Sequence, residues 1–245
     1  TFTKAVTGLT AGTAYSFRAY ATNGEGTGYS GVATFTTVST TATLSALSLS
    51  AGTLAPAFSS ATMTYGVEVA YGVASLTVTP VATHAQATVA VRLNGSDWSE
   101  LVSGSASGAL ALNAGSNLIE IRVTAQDETT TQVYTITVTR ATALSVLTRY
   151  DGTGTAPSAD VYGEAGITGV ESTRVASFNS ALVRLPQSRR DTAADVQAMV
   201  DAYTLVLSKA NGSAPDPAPA AQPTALTYQS LGATTAAALS ANGLL

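Results

Sequence analysis

The chain has 245 residues, 45% of them hydrophobic and only 11% charged, with a net charge of −4. The charged fraction is about half the ~25% of an average soluble domain. An acidic chain without Lys/Arg clusters excludes the counterion-displacing binding of nucleic acid and of anionic membrane surfaces. Cysteine is absent, which removes disulfides, thiolate catalysis and Cys-ligated zinc. No apolar run approaches the ~20 residues of a membrane-spanning helix.

Residues 2–37 read as three strands. "FTKAV" leads through the turn "TAGT" to "AYSFRAYAT", where Tyr15, Phe17, Ala19 and Ala21 alternate with Ser16, Arg18, Tyr20 and Thr22. That is the period of a half-buried strand. "NGEGTGYSG" is a Gly-rich loop with an Asn-Gly turn signal, and "VATFTT" is the returning strand. The string Leu9, Gly12, Tyr15 followed by "RAYATNGEGTGYS" resembles the last corner and strands of a fibronectin type III domain. The resemblance covers residues 1–38. It implies that Leu9 is the corner leucine and that the Tyr15 hydroxyl bonds to backbone just upstream. The strands of a first half are not in this stretch. Ordering ~40 residues costs on the order of 40–80 kcal/mol in backbone entropy, and a half-sandwich has no opposite sheet to offset it. The segment is therefore expected to be mobile or to borrow a partner edge, and the chain to be a slice of a longer, multi-module extracellular protein whose flanking modules are its partners.

Residues 37–45, "TVSTTATLS", read as a Thr/Ser linker. Residues 44–140 then carry period-two apolar patterns in a series of short strands: Tyr65, Val67 and Val69; Leu76 and Val78; Val89, Val91 and Leu93; Leu110 and Leu112; Ile119, Ile121, Val123 and Ala125; Tyr134, Ile136 and Val138. Seven or so such strands with turns between them predict an antiparallel sandwich. The order of "LSLSAGTLAPAF" before "YGVEV", and of "GSNLI" before "YTITVTR", resembles the cadherin-like β-sandwich domain of bacterial surface proteins. That resemblance implies an immunoglobulin-like architecture without calcium dependence, because the acidic inter-domain motifs of true cadherins are missing. "NGSDWSELVSGS" is longer than the family pattern and reads as an elongated hairpin.

Beyond Arg140 the period changes to about 3.6. "TALSVLTRY" and "ADVYGEAG" read as short helices. Val175, Phe178, Leu182 and Leu185 form one stripe that Pro186 closes, and Val196, Met199, Val200, Tyr203, Val206 and Leu207 form another. Asp191 or Thr192 can cap that last helix, with Asp195 in its first turn, and Lys209 with Asn211-Gly212 marks its end. This predicts a helical bundle over 142–210. A Pro/Ala-rich linker follows at 211–223, and the start of a second helical repeat at 224–245, because Pro157, Tyr162 and Gly166 recur as Pro223, Tyr228 and Gly232 at equal offsets. The unit resembles the tandem helical repeats of large bacterial surface proteins and, more distantly, the three-helix albumin-binding module. The fold class expected is thus multidomain, β then α: a partial fibronectin type III sandwich, a cadherin-like sandwich and a small helical bundle.

Candidate chemistry is sparse. The one histidine, His84, lies between two strands, where a turn residue is expected rather than a triad member. Asp127 with Glu128, and Asp97 with Glu100, are acid pairs without the further oxygens that calcium needs. "DGTGT" at Asp151 has the glycines of a calcium loop but not its alternating acids. "GEGTG" lacks the helix N-terminus of a phosphate site. No catalytic residue, cofactor or metal ligand is assigned. Trp98, the only tryptophan, is the one candidate ligand contact: exposed, it can stack on a sugar or anchor a protein; otherwise it covers the sandwich edge. The function expected is a non-enzymatic spacer and adhesion scaffold of a bacterial cell-surface or secreted protein. The alternatives are a carbohydrate-binding accessory region of a glycoside hydrolase and a host-protein-binding helical module.

Overall fold

The computed structural model describes residues 3–210, which fall into two compact units divided after Arg140. Among its described residues the first unit contains thirteen strands. β1 (Ala14–Phe17), β2 (Tyr20–Asn23), β3 (Gly26–Tyr29) and β4 (Ala33–Thr36) form two small ladders, β1 with β4 and β2 with β3, both antiparallel. The stretch read as one strand from Ala14 breaks at Arg18–Ala19, and its halves pair with different partners. "FTKAV" forms no strand over its described residues. The Gly-rich stretch is not simply a loop: Gly26–Tyr29 is a strand, and only Asn23 to Gly26 turns, with the Asn23 carboxamide accepting from the Glu25 N–H at 2.9 Å. Glycine lowers strand propensity, which hid this strand from a pattern reading.

The connector that follows is not a free linker. Ser39, Ala42 and Leu44 are buried. Ser39 N–H donates to Gln126 Oε1 at 2.9 Å, and Asp127 N–H donates to the Ser39 carbonyl at 3.3 Å. Leu44 N–H donates to the Tyr134 hydroxyl at 3.0 Å. Hydroxyl-rich composition suggested solvation; in fact the backbone is docked and hydrogen-bonded.

The sandwich comprises β5 (Leu44–Leu49), β6 (Thr64–Val69), β7 (Ser75–Leu76), β8 (Val78–Ala82), β9 (Thr88–Leu93), β10 (Ser99–Leu101), β11 (Leu110–Ala111), β12 (Gly115–Thr124) and β13 (Thr131–Arg140). One layer has five strands in the order β10-β9-β12-β13-β6. The other is built from β5 on β8 and β11 on β7, with the backbone of Gly104 and Ser107 bonded along the free side of β8. Both sheets are open. The purely antiparallel sandwich expected from the sequence needs one correction: β13 and β6 pair in parallel, from Thr135 opposite Thr64 to Arg140 opposite Val69. Period-two burial is the same for either direction, so pattern alone does not encode it. The inward residues of the two layers form a continuous core, in which Ile119, Ile121, Val123, Tyr134, Ile136 and Val138 are all fully buried. Each such side chain contributes roughly 1.5–3 kcal/mol.

The motif residues of this domain have physical roles. Gly52 has φ +78°, and a Cβ there would meet Val67 Cγ1 at 2.4 Å and Val69 Cγ1 at 3.0 Å. Three residues on, Ala55 exchanges backbone hydrogen bonds with Gly66, and Phe58 stacks on Tyr65. The segment thus runs back along the free edge of β6 and shields it. Asn117 is buried. Its carboxamide accepts from Asn113 N–H at 2.9 Å and donates to the carbonyls of Asn113 and Gly115, closing the bend before β12. Arg140 ties the same end, donating to the carbonyls of Tyr71 at 2.8 Å and Leu112 at 3.1 Å.

The second unit contains α1 (Ala143–Arg149), α2 (Ala159–Glu164), α3 (Val175–Arg184), a 3-10 turn at Gln187–Arg189 and α4 (Ala193–Ala210). α1 packs with α2 and α3 with α4. Thr192 rather than Asp191 is the capping partner of α4: Asp195 N–H donates to Thr192 Oγ1 at 3.1 Å, and Thr192 N–H donates back to the Asp195 carboxylate at 3.2 Å. Two of the positions that recur in the sequence, Pro157 and Tyr162, sit in one buried network through Asn179. The Tyr162 hydroxyl donates to Asn179 Oδ1 at 2.8 Å, and Asn179 Nδ2 donates to the Pro157 carbonyl at 2.9 Å. Gly166, at φ +79°, is the left-handed residue of a Schellman stop, with Ile167 N–H bonded to the Tyr162 carbonyl. The Pro/Ala linker at 211–223 and the second repeat at 224–245 lie outside the described residues.

Gly52 generates a test. Gly52→Ala forces a side chain into Val67 and Val69 in a left-handed backbone, and is expected to cost about 1–3 kcal/mol in overpacking plus about 1–2 kcal/mol in backbone strain. Urea unfolding of the variant against the parent chain checks this.

Candidate functional site

Trp98 sits just before β10, the edge strand of the five-stranded sheet. β10 pairs with β9 so that Ser99 lies opposite Val91 and Glu100 opposite Ala90. Val91 points inward, so Trp98 and Glu100 stand on the outward face, beside Arg92 and Ala90. On the same face β12 presents Glu120 opposite Arg92 and Arg122 opposite Ala90. The three strands thereby assemble one cluster. Arg92 makes a two-pronged ion pair with Glu120, Nε to Oε2 at 2.7 Å and Nη2 to Oε1 at 2.9 Å. The guanidinium carbons of Arg92 and Arg122 each lie 4.5 Å from the Trp98 ring centroid. Such contacts are attractive through the ring quadrupole. Trp98 is half-buried, and Ala90, although outward-facing, is only 5% exposed: a ring touching Arg92 and Arg122 crosses over it. The hydrogen bond from Arg92 holds the Glu120 carboxyl below its ordinary range, and the same bond raises Arg92.

His84, Asp127 and Asp151 each serve a separate local turn. His84 occupies the turn between β8 and β9, where its Nδ1 accepts from Gln86 N–H at 3.3 Å and its carbonyl from Ala87 N–H at 3.0 Å. Asp127 is fully engaged at the β12–β13 turn. Its carboxylate accepts from the backbone N–H and the hydroxyl of both Thr129 and Thr130. These bonds, the Thr130 hydroxyl first, hold its pKa down to about 2. The turn therefore has this support in full above the ordinary aspartate value of about 3.9 and loses it progressively as pH falls from there through about 2. Asp151 closes a local turn by accepting from Thr153. Asp97 and Glu100 are exposed beside Trp98.

A second feature lies in residues 3–38. Thr10 N–H donates to the Tyr15 hydroxyl at 2.8 Å, the bond that the resemblance to a fibronectin type III corner implies. It also lowers the hydroxyl's pKa. Phe17, Tyr20, Tyr29 and Phe35 are exposed, at 57%, 68%, 57% and 42%. Tyr15 stacks on Phe35 at 5.8 Å and Arg18 lies 4.1 Å from the Tyr29 ring centroid. An open groove of about 1060 Å³ runs past Lys4, Val6, Leu9, Tyr15, Phe17 and Phe35. Sequence reading located Tyr15 and expected the apolar face of this half-sandwich to have no opposite sheet, and the rings of Phe17 and Phe35 are exposed. It missed Arg92, Glu120 and Arg122, whose adjacency depends on strand register.

Residues 44–141 match the family model described as a cadherin-like beta sandwich domain. The chain is also 40% identical over 102 residues to a protein of Evansella cellulosilytica named "Putative membrane protein". That match spans 42% of this chain and 14% of the relative. Among the described residues, no helix is long and apolar enough to cross a membrane.

The single tryptophan makes the cluster observable. Because the Glu120 pKa is depressed, the Arg92–Glu120 pair is intact above the ordinary glutamate value of about 4.3 and is lost only below it. Acid titration of Trp98 emission is expected to show a transition below that value, absent in Glu120→Gln. A transition at or above it, or one unchanged in the variant, contradicts the assignment.

Proposed function

We propose that this chain is a non-catalytic structural and adhesion-type segment of a bacterial cell-surface or secreted protein. In this reading residues 3–38 are the closing part of a fibronectin type III module, residues 44–140 a cadherin-like sandwich and residues 142–210 a helical repeat unit. The observation that carries it is how the polar groups weighed as chemistry are spent. Asp127, Asp151 and His84 each satisfy their own turn, and Arg92 and Glu120 satisfy one another. The cadherin-like match supports a structural module, and the Tyr15 corner supports the fibronectin reading of the first segment. Recognition by such sandwiches uses loops at one end, an argument by analogy of fold.

The glycan-binding alternative rests on Trp98 as an open stacking platform. The two guanidiniums against its ring weigh against it. The host-protein alternative needs an apolar patch on the helical unit, but the large exposed apolar side chains among the described residues lie at Val6 to Val38, Val102 and Leu118.

The test is location. Antibodies raised against residues 44–140 are expected to label intact cells of the source bacterium, or its culture medium, and protease added outside the cells should remove the cell-bound signal. Labelling that appears only after lysis contradicts the proposal.

A further inference from the structure

The sandwich has its two chain connections at opposite ends. Ser39, where the chain arrives, is bonded to Gln126 and Asp127 at the β12–β13 turn. Arg140, where it departs, is paired with Gly115 at the other end of a ladder ten residues long, roughly 30 Å at 3.2–3.4 Å per residue. Tension along the chain therefore acts along the strands.

The load then meets two ladders in turn. β5 begins at Leu44, near the arrival end, and runs away from it. Pulling Leu44 outward slides β5 along β8, from Leu44 opposite Ala82 to Leu49 opposite Val78. If β5 yields, tension passes through residues 50–63 to Thr64, the first residue of β6. Thr64 is the end of β6 that faces the arrival side, opposite Thr135 midway along β13, and Arg140 is at the departure end, opposite Val69. The two strands are parallel, so they are pulled from opposite ends. Their hydrogen bonds are loaded together, along the direction of sliding, rather than one after another. An antiparallel pair with the same connections would present both loaded ends side by side and would unzip.

We propose that the parallel β6–β13 ladder is a mechanical clamp, which makes residues 44–140 a force-bearing link resistant to tension applied through the natural chain direction. Its flank is protected to suit. Residues 52–60 shield the free edge of β6 through Gly52, Ala55 and Phe58, and Arg140 anchors the loaded end of β13 to the Tyr71 and Leu112 carbonyls. The clamp deepens the spacer reading, but it depends only on covalent path and register and stands or falls apart from where the protein resides.

The chain contains no cysteine, so attachment points can be placed at will. The full chain with Thr40→Cys and Thr139→Cys is held at the natural ends of the sandwich. The full chain with Ala61→Cys and Thr131→Cys is held at one end of the β6–β13 pair. All four residues are exposed. Single-molecule stretching at equal loading rate, with sandwich rupture recognised by the contour length released, is expected to need a several-fold higher force in the first geometry. Equal forces, or a lower force in the first geometry, overturn the proposal. Urea unfolding of both variants at the parent midpoint shows that the difference lies in direction and not in stability.

Discussion

The β12–β13 hairpin is the constraint on which the first unit depends. Its ten-residue register places six fully buried side chains in a double row, from Ile119, Ile121 and Val123 on one strand to Tyr134, Ile136 and Val138 on the other. β9 pairs with one side of it and β6 with the other. Its turn, locked by Asp127, receives the arriving chain at Ser39. Its open end is closed by Asn117 and Arg140. A one-residue slip would turn the row of the slipped strand outward, so burial and register enforce each other.

Polar groups inside this frame act as positioning devices. The Tyr134 hydroxyl accepts from Leu44 N–H and donates to the Ser60 carbonyl. It thus holds the start of β5 and the loop before β6 on the same ring. Asn117 does the same for the bend before β12, and Asn179 for the helical unit. A buried carboxamide left unpaired would cost about 1–3 kcal/mol, so each fixes one arrangement of the backbone it bonds. On the outward face the Arg92, Glu120, Trp98 and Arg122 cluster ties edge strand β10 to β9 and β12.

Much of this was legible in the sequence because period-two burial follows directly from strand geometry. The inward rows at Tyr65, Val89, Ile119 and Tyr134 are where alternation places them, and the period of about 3.6 locates α3 and α4. Strand direction was not legible: the alternation of Tyr65, Val67 and Val69 is the same whether β6 runs with β13 or against it. Nor was the docking of residues 39–44, since Thr/Ser composition looks alike in a solvated linker and in a hydrogen-bonded connector. The burial of Asn117 and Asn179 was not legible either, because a carboxamide's burial depends on partners brought by other elements. For Trp98, a position near a hairpin was legible but not the two arginines against its ring, since only register brings Arg92 and Arg122 together.

The same account separates the first unit into a part with two packed layers and a part, residues 3–38, whose aromatic rings face solvent. The measurement that tests it most directly is native-state amide hydrogen exchange on the whole chain. The slowest amides are expected in β12 and β13, opening only with global unfolding of the sandwich, while those of β1 to β4 exchange faster by orders of magnitude. Equal protection of β1–β4 and β12–β13 would contradict the claim that the hairpin core carries the stability of the unit.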